Sequence, residues 1–229
     1  MIFNPDIILS MDTNPLEKRP LMPSPNRPLD EQFSREVSPA CQALYDETMK
    51  NPEFRPDEIS GLQVGRILQI FARNAKNVLE IGTLTGLATL FMAEALPPGG
   101  KITTIDIEDG PAQALGRKYW DMAGVTEKIN AMTGDALTVV PQLEDGTFDL
   151  VFIDGQNIQY QGYLKAVLLK VRSGGVIIID DTLDGNLSAP VSERDKRTRE
   201  FNQRLKKDSR LTHVVALNVG EGITIAVKK

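Results

Sequence analysis

From residue 77 onward the sequence alternates between short apolar segments and longer stretches whose apolar residues recur at helical spacing. The short segments, which are predicted strands, are NVLEIG, KITTIDI, KINAMTGD, FDLVFID and GGVIIID. The intervening predicted helices are TGLATLFMAEAL, PAQALGRKYWDMAG, ALTVVPQL and residues 160–171. Strands joined by helices of this length form right-handed crossovers, and therefore a mostly parallel sheet with helices on both faces. The predicted fold class is α/β, doubly wound.

The end of the chain does not continue this alternation of strands and helices. HVVALNV and ITIAVK are separated only by GEG, a gap that favours a hairpin. At least one of these strands is therefore predicted to be antiparallel. Further helices are predicted over 35–49, 57–73 and 193–207, and the mixed charges of the last one predict a solvated face.

Residues 1–34 carry six prolines and little periodicity, which predicts an irregular N-terminal segment. A flexible tail is the simpler interpretation. Its scattered apolar residues leave open a second one, in which the segment folds over a pocket or a neighbouring subunit. Residues 35–229 are predicted to form a single domain.

Composition narrows the possible partners. The 31 acidic and 26 basic residues give a formal charge of −5, which disfavours nucleic acid as a ligand. A single cysteine, Cys41, excludes an internal disulfide and a zinc site built from cysteines. No segment approaches the length of about 18 apolar residues that a membrane span needs, and no leader pattern is present. We therefore expect a cytoplasmic protein that has no membrane partner.

In open α/β sheets a ligand lies beyond the carboxyl ends of the strands. The first strand ends in LEIGTLTG, which contains Glu80, Gly82 and Gly86 but neither the dinucleotide-binding nor the phosphate-loop glycine pattern. This favours a nucleoside ligand without a pyrophosphate, although the glycines could serve a tight turn alone. Asp106, at the end of the second strand, can accept hydrogen bonds from ribose hydroxyls.

The third strand ends in GDAL, which places Asp135 and Ala136 where an adenine edge could lie. Asp154 ends the fourth strand, and Asp180 and Asp181 end the fifth. Neighbouring strands lie about 4.8 Å apart, so these three carboxylates can converge. Left alone, like charges at about 4 Å cost on the order of 4 kcal/mol per pair at an effective dielectric constant of about 20.

A divalent cation would remove this repulsion between the three carboxylates. Ligation by oxygen atoms alone favours Mg²⁺, with Mn²⁺ or Ca²⁺ less favoured, and the lack of nearby histidine or cysteine argues against zinc. The alternative is that Asp180 or Asp181 only caps the turn that follows.

Six segments in fixed order carry a family resemblance: NAKNVLEIGTLTGLATL, TTIDIE, GDAL, FDLVFIDGQNIQYQGY, GGVIIIDDTL and VGEGITIAVKK. Over roughly residues 57–229 the sequence resembles the cation-dependent O-methyltransferases of the catechol and caffeoyl-coenzyme A type, which use S-adenosyl-L-methionine. The resemblance implies a Rossmann-like methyltransferase sheet, a small-molecule acceptor and a homodimer. From position and resemblance together, the expected cofactor-binding residues are Glu80, Gly82, Thr83, Gly86, Asp106, Ile107, Asp135, Ala136 and Asp154. The metal ligands that the resemblance implies are Asp154, Asp180 and Asp181.

The sequence differs from this family in the segment after the fourth predicted strand, where the methyl acceptor is expected to bind. Family members usually read DADKxNY where this chain reads DGQNIQY, so Asn157 replaces a lysine and Gln156 an acid. Asp181 replaces the asparagine of the usual DN pair, which adds one negative charge. We predict catalytic roles for Asp154, at the cation, and for Asn157, which orients the acceptor by hydrogen bonding.

Two functions remain open from the sequence. The first is O-methylation of a catechol-like or other metal-chelating hydroxyl group. The second is a protein that keeps the S-adenosylmethionine pocket but no longer methylates, because the family lysine is absent. Methyl transfer with a chelator control separates the two.

Overall fold

The computed structural model describes residues 34–183 and 192–229, of which Glu36–Lys229 form one compact unit. A seven-stranded sheet with the order β3-β2-β1-β4-β5-β7-β6 runs through this unit. The strands are β1 Asn77–Ile81, β2 Lys101–Asp106, β3 Ile129–Thr133, β4 Phe148–Ile153, β5 Val171–Ile179, β6 Leu211–Leu217 and β7 Ile223–Lys228. Apart from Ser34, the predicted N-terminal segment lies outside the described residues.

Seven α-helices accompany the strands in the described part of the chain. They are α1 Pro39–Lys50, α2 Gly61–Ala72, α3 Leu87–Ala95, α4 Pro111–Met122, α5 Ala136–Val139, α6 Tyr160–Lys170 and α7 Glu193–Lys207. Short 3₁₀ turns lie at Pro52–Phe54, Pro56–Glu58, Thr126–Lys128, Val140–Gln142 and Asn157–Gln159. None of the helices in residues 34–183 and 192–229 has the length and apolar character of a membrane span.

The pairing of the strands confirms the predicted fold class. Strands β1 to β5 pair in parallel, whereas β7 is antiparallel to both β5 and β6. Residues 78–81 of β1 are all buried, as expected for a parallel strand covered on both faces. Val78 contributes to one hydrophobic core and Leu79 to the other.

The chain order reverses between β1 and β4, which are neighbours in the sheet although two strands separate them in sequence. Crossovers on either side of such a switch point leave a crevice at the carboxyl ends of the strands, where ligands of doubly wound folds bind. The loops after Ile81 and Ile153 therefore frame the place to look for a site.

One predicted boundary is wrong in a way that matters for the site. The helix predicted over 57–73 begins at Gly61. Arg55 has a left-handed backbone with φ 49°, Pro56–Glu58 form a 3₁₀ turn, and Ile59 is extended. An α-helix cannot continue through these conformations, so Ser60 lies at the helix start rather than inside the helix.

Candidate functional site

A cavity of about 730 Å³ opens at the carboxyl ends of the parallel strands. This volume is in the range of small-molecule sites. Its walls come from the loops after β1, β2, β3, β4 and β5, from the segment before α2, from the first turns of α7 and from the β6–β7 turn.

Most of the predicted cofactor-binding residues line this cavity. Those on the wall are Gly82, Thr83, Asp106, Ile107, Asp135, Ala136 and Asp154. Glu80 and Gly86 are not on the wall. The strand-end argument therefore found the correct edge of the sheet, while the binding roles of these residues stay predictions.

The loop after β1 is held by Asp106. Its Oδ2 accepts hydrogen bonds from the backbone N–H groups of Thr83 (2.9 Å) and Leu84 (2.8 Å). Its Oδ1 accepts from the Glu108 N–H at a longer 3.2 Å. One oxygen of Asp106 thus fixes the glycine loop, and the other is the less engaged atom, suited to a ribose hydroxyl.

Gly82 allows the loops after β1 and β4 to touch. Its φ is +93°, and a Cβ built there would lie 1.9 Å from the backbone oxygen of Asp154. Neither the conformation nor the space admits a side chain. Gly86 plays a supporting part below the wall, where the buried Trp120 Nε1–H donates to its carbonyl at 3.1 Å.

Glu80 is fully buried beneath the cavity. The Thr89 hydroxyl donates to its Oε2, while its Oε1 has no hydrogen-bond partner among the described residues. Burial raises the pKa of Glu80 to about 8, so its carboxyl group is mostly protonated at neutral pH. With no surface on the cavity, Glu80 is placed to support the floor of the site.

The carboxylates after β4 and β5 form a strongly repelling cluster. Asp154 Oδ2 accepts a hydrogen bond of 2.5 Å from the Ser60 hydroxyl. Burial raises the pKa of Asp154 to about 7, and the charges of Asp181 and Glu58 add to the rise. Burial, followed by the charges of Asp154 and Asp181, raises the pKa of Asp180 well above its ordinary value.

Asp180 and Asp181 face different surroundings. Asp180 is 2% exposed and does not line the cavity, and the Tyr160 hydroxyl donates to its backbone carbonyl at 3.0 Å. Asp181 lines the cavity and has a left-handed backbone, with φ 52°. Its Oδ2 accepts a hydrogen bond of 2.8 Å from Arg194 Nη2, which also contacts Glu221 Oε2 at 2.9 Å.

This arrangement fits a divalent cation in its chemistry but not in its geometry. Buried carboxylates that repel one another, with a hydroxyl beside them, offer the oxygen ligands that a divalent cation prefers. A positive charge among them would relieve the repulsion. Among residues 34–183 and 192–229, however, no three His, Cys, Asp or Glu side chains are arranged to hold a metal ion. One carboxylate oxygen of Asp181 is paired with Arg194 of α7. The convergence predicted from the strand ends is therefore incomplete, and the assignment of Asp154, Asp180 and Asp181 as ligands stays a prediction.

The wall beyond Asp154 is formed by the turn Asn157–Gln159. Asn157 forms no side-chain hydrogen bond to the residues that the structure describes, so its amide is available to a ligand. Ile158 beside it is 64% exposed and offers an apolar surface. The Tyr163 hydroxyl donates to Gln159 Oε1 at 2.5 Å, which anchors the end of the turn.

Sequence reasoning missed several residues of this cavity, and four of them carry polar or charged side chains that reach it from distant parts of the chain. They are Ser60, Arg194, Arg197 and Glu221. Arg194 and Arg197 are exposed, as a solvated helix face predicts, but nothing in the sequence indicated that these two arginines line the cavity. The sequence offered a signal for one of these residues: Glu221 belongs to the VGEG turn, which lies at the same edge of the sheet as the cavity.

Comparisons with known proteins agree with this architecture. A family model described as O-methyltransferase matches residues 31–229. A catechol O-methyltransferase from Niastella koreensis is 33% identical over 180 residues, covering 72% of this chain and 80% of the relative. A caffeoyl-CoA O-methyltransferase from Mesembryanthemum crystallinum is 36% identical over 211 residues, covering 84% and 80%.

Solved structures of methyltransferases are also similar to this chain. The O-methyltransferase TomG from Streptomyces achromogenes, in complex with S-adenosylmethionine, superposes with a TM-score of 0.74 at 25% identity, over 87% of this chain and 94% of that one. The methyltransferase PaMTH1 from Podospora anserina, bound to S-adenosylhomocysteine, also gives 0.74 at 25% identity, over 87% and 92%. With nearly the whole described unit matched, the chain belongs to the O-methyltransferase family of enzymes, as its six sequence motifs predict.

Proposed function

We propose that this protein transfers the methyl group of S-adenosylmethionine to a hydroxyl group of a small catechol-like or other metal-chelating acceptor, with the help of a divalent cation. The observation that carries the proposal is the position of Asp154. It lies at the switch point of the sheet, between the wall made by Gly82 and Asp106 and the wall made by Asn157. Both reactants can reach this place from opposite sides.

The reaction is an in-line displacement. The acceptor oxygen forms a bond to the methyl carbon, the carbon–sulfur bond breaks, and S-adenosylhomocysteine and a proton are released. A phenol with a pKa of about 10 is some 3 units short of ionisation at pH 7, which corresponds to roughly 4 kcal/mol. When bound, the sulfonium supplies the electrophilic methyl group, and a divalent cation supplies positive charge that favours the ionised hydroxyl.

The residues of this chain bind and orient the reactants. Asp106 and Asp135 are the expected partners of the nucleoside, and Asp154, Asp180 and Asp181 would hold the cation. Asn157 can hydrogen-bond the acceptor through its unengaged amide. Because an amide cannot serve as a base at neutral pH, we assign Asn157 to orientation and not to proton removal.

A second function is favoured by two observations. Asn157 stands where related proteins have a lysine, and Asp181 is engaged by Arg194. A protein that binds S-adenosylmethionine without methylating catechols would show the same features.

Label transfer from S-adenosylmethionine distinguishes these functions. We expect wild-type protein with Mg²⁺ to methylate at least one member of a panel of catechols, and chelator to abolish the transfer. Asp154→Asn should lower kcat/KM by at least about 100-fold, on the scale of losing one electrostatic contributor to the transition state. Glu144→Gln, an exposed carboxyl outside the cavity, serves as the control.

Tight binding of S-adenosylmethionine without turnover of any acceptor would support the binding function instead. Full activity after complete removal of divalent cations would contradict the proposed role of the cation. Asn157→Ala should raise the acceptor KM about tenfold while the affinity for S-adenosylmethionine stays unchanged, because the lost hydrogen bond is to the acceptor.

A further inference from the structure

Ser60 lies at the start of α2 without capping that helix. Its backbone is helical, with φ −58° and ψ −19°, and its hydroxyl accepts no hydrogen bond from the first turn. A serine that caps a helix has extended backbone angles and accepts a hydrogen bond from an N–H group of that turn. The Ser60 hydroxyl instead donates at 2.5 Å to Oδ2 of Asp154, a residue 94 positions away. The hydrogen-bonding capacity of this serine is therefore used at the cavity and not at the helix.

Gly61 makes this orientation of Ser60 possible. Its φ is +78°, although it is the first residue of the helix, where φ is ordinarily about −63°. A positive φ turns the chain between Ser60 and the rest of the helix, and glycine adopts it without the strain that a side chain brings. A Cβ at Gly61 would meet nothing within 4 Å. The glycine is therefore required by the backbone conformation and not by close packing.

The backbone and the side chain of Asp154 are held by different partners. Its N–H donates to the Ile81 carbonyl at 2.8 Å, and its carbonyl oxygen lies against Gly82, where an added Cβ would be 1.9 Å away. The Ser60 hydroxyl then holds Oδ2. Oδ1 forms no hydrogen bond with the residues that the structure describes. Because Asp154 lines the cavity, Oδ1 is the oxygen that a reactant there can meet.

The helix does not depend on the Ser60 contact for its attachment to the fold. Its buried face packs into one of the two hydrophobic cores through Val64, Leu68 and Ala72. The hydrogen bond from Ser60 is a single polar contact at the cavity end of α2, and Ser60 is part of the cavity wall. What this contact determines is the direction of one carboxylate, at the place where the cofactor and the acceptor are proposed to meet.

We infer that Ser60 is a positioning residue for methyl transfer, which orients the Asp154 carboxylate so that Oδ1 faces the reactants. The inference rests on the proposed function, because it takes Asp154 as the residue beside which both reactants bind. Ser60 acts through Asp154, and it neither touches the reacting atoms nor holds the nucleoside. Loss of its hydroxyl should therefore lower kcat and leave the affinity for S-adenosylmethionine unchanged.

Methyl transfer to an acceptor from the catechol panel, at saturating S-adenosylmethionine, tests this inference in the full-length protein. Ser60→Ala should lower kcat about tenfold, on the scale of one hydrogen bond to a charged group, and keep the Kd for S-adenosylmethionine within about twofold of wild type. Ser60→Thr retains a hydroxyl and should recover most of the lost rate. In an Asp154→Asn background, Ser60→Ala should lose most of its effect, because the two side chains are in direct contact.

A pair of glycine variants separates the orientation of Ser60 from the stability of the fold. Gly61→Ala and Gly99→Ala add a methyl group at nearly the same φ, +78° and +77°, and both methyl groups enter open space. They should therefore lower the midpoint of urea denaturation equally. Gly61→Ala should also lower kcat severalfold, because relief of its strain moves Ser60, whereas Gly99→Ala should keep the wild-type kcat.

The outcomes separate this inference from the proposed function. If wild-type protein methylates no acceptor, or if Asp154→Asn keeps full activity, the proposed function is wrong at that point and the inference falls with it. If Asp154→Asn is impaired while Ser60→Ala keeps the wild-type kcat, only the inference is overturned. It is also overturned if Ser60→Ala weakens S-adenosylmethionine binding more than it lowers kcat, or if Gly99→Ala slows the reaction as much as Gly61→Ala does.

Discussion

Two carboxyl groups at the site, those of Glu80 and Asp154, keep their protons to higher pH than exposed carboxyl groups do. Removing a carboxylate from water disfavours its charged form. Burial accordingly raises the pKa of Glu80 to about 8 and that of Asp154 to about 7. For Asp154 the rise reflects a position where a nearby positive charge would be strongly favourable. For Glu80 it reflects a carboxyl group that stays neutral inside the fold.

Glu80 makes stability depend on pH in a defined direction. The unfolded chain releases this proton near pH 4.5, whereas the folded protein keeps it to about pH 8. The stabilising contribution is therefore complete below about pH 4.5 and is lost as pH rises toward about 8. Glu80→Gln, which is neutral at every pH, should be more stable than wild type at pH 8, by on the order of 2 kcal/mol, and should show a smaller difference at pH 5.

Urea denaturation at pH 5, 6.5 and 8 measures this dependence. Glu144→Gln should follow the wild-type profile, because its carboxylate is exposed. A Glu80→Gln variant that loses stability with rising pH as steeply as wild type would show that Glu80 is already ionised in the folded protein.

Residues at strand ends could be predicted from the sequence, and residues that reach the site from elsewhere could not. Asp106 and Asp154 follow recognisable apolar strands, so their location depends only on local pattern and on the rule for doubly wound sheets. Ser60 contacts Asp154 across 94 positions of sequence, and Arg194 contacts Glu221 across 27. Such contacts depend on how α2 and α7 pack against the sheet, which no local pattern encodes.

At the scale of elements, the site depends on how closely the loops after β1 and β4 approach each other. Gly82 makes this approach possible, since its missing side chain leaves room for the backbone of Asp154. The same contact places Asp154 beside the Asp106-held loop. The geometry of the cavity is therefore set by backbone contacts between two neighbouring strands.

Gly82→Ala should destabilise the protein more than the cost of its backbone conformation alone. Gly99 has a similar φ of +77° but open space around the added Cβ, whereas Gly82 would meet the Asp154 oxygen. We expect Gly99→Ala to cost about 1 kcal/mol of unfolding free energy and Gly82→Ala at least about 3 kcal/mol. Chemical denaturation of both variants makes the comparison, and equal losses would mean that the two loops are not in contact.

The start of α2 shows where element boundaries escape sequence reasoning. The apolar spacing of residues 57–73 fits a helix throughout, yet helix formation waits until Gly61. Arg55 has a left-handed backbone, and Pro56 begins the 3₁₀ turn that follows it. This local departure is what brings the Ser60 hydroxyl to Asp154.

At the scale of the whole molecule, the sequence predicted the layered architecture because each strand and helix has its own pattern. It also predicted the C-terminal hairpin from the short gap before β7. It did not reveal that β6 would be the edge strand, with residues 212–216 exposed. Which strand lies at the edge depends on how the whole sheet assembles, and the pattern of a single strand does not encode it.

We propose that the protein is a homodimer, on the strength of its family resemblance and of this exposed edge. Unpaired edge strands are regular sites of association, and Val214 and Val215 of β6 are 37% and 48% exposed. Light scattering after size-exclusion chromatography should give twice the chain mass of 25.3 kDa. A mass equal to one chain at all concentrations tested would contradict this proposal.

The most direct test of the central claim is a crystal structure with S-adenosylhomocysteine and Mn²⁺, with the metal located by its anomalous signal. We expect the nucleoside between Asp106 and Asp135, the sulfur facing Asp154, and one Mn²⁺ peak held by Asp154, Asp180 and Asp181. A nucleoside bound elsewhere, or a site filled by S-adenosylhomocysteine with no anomalous peak at these aspartates, would contradict it.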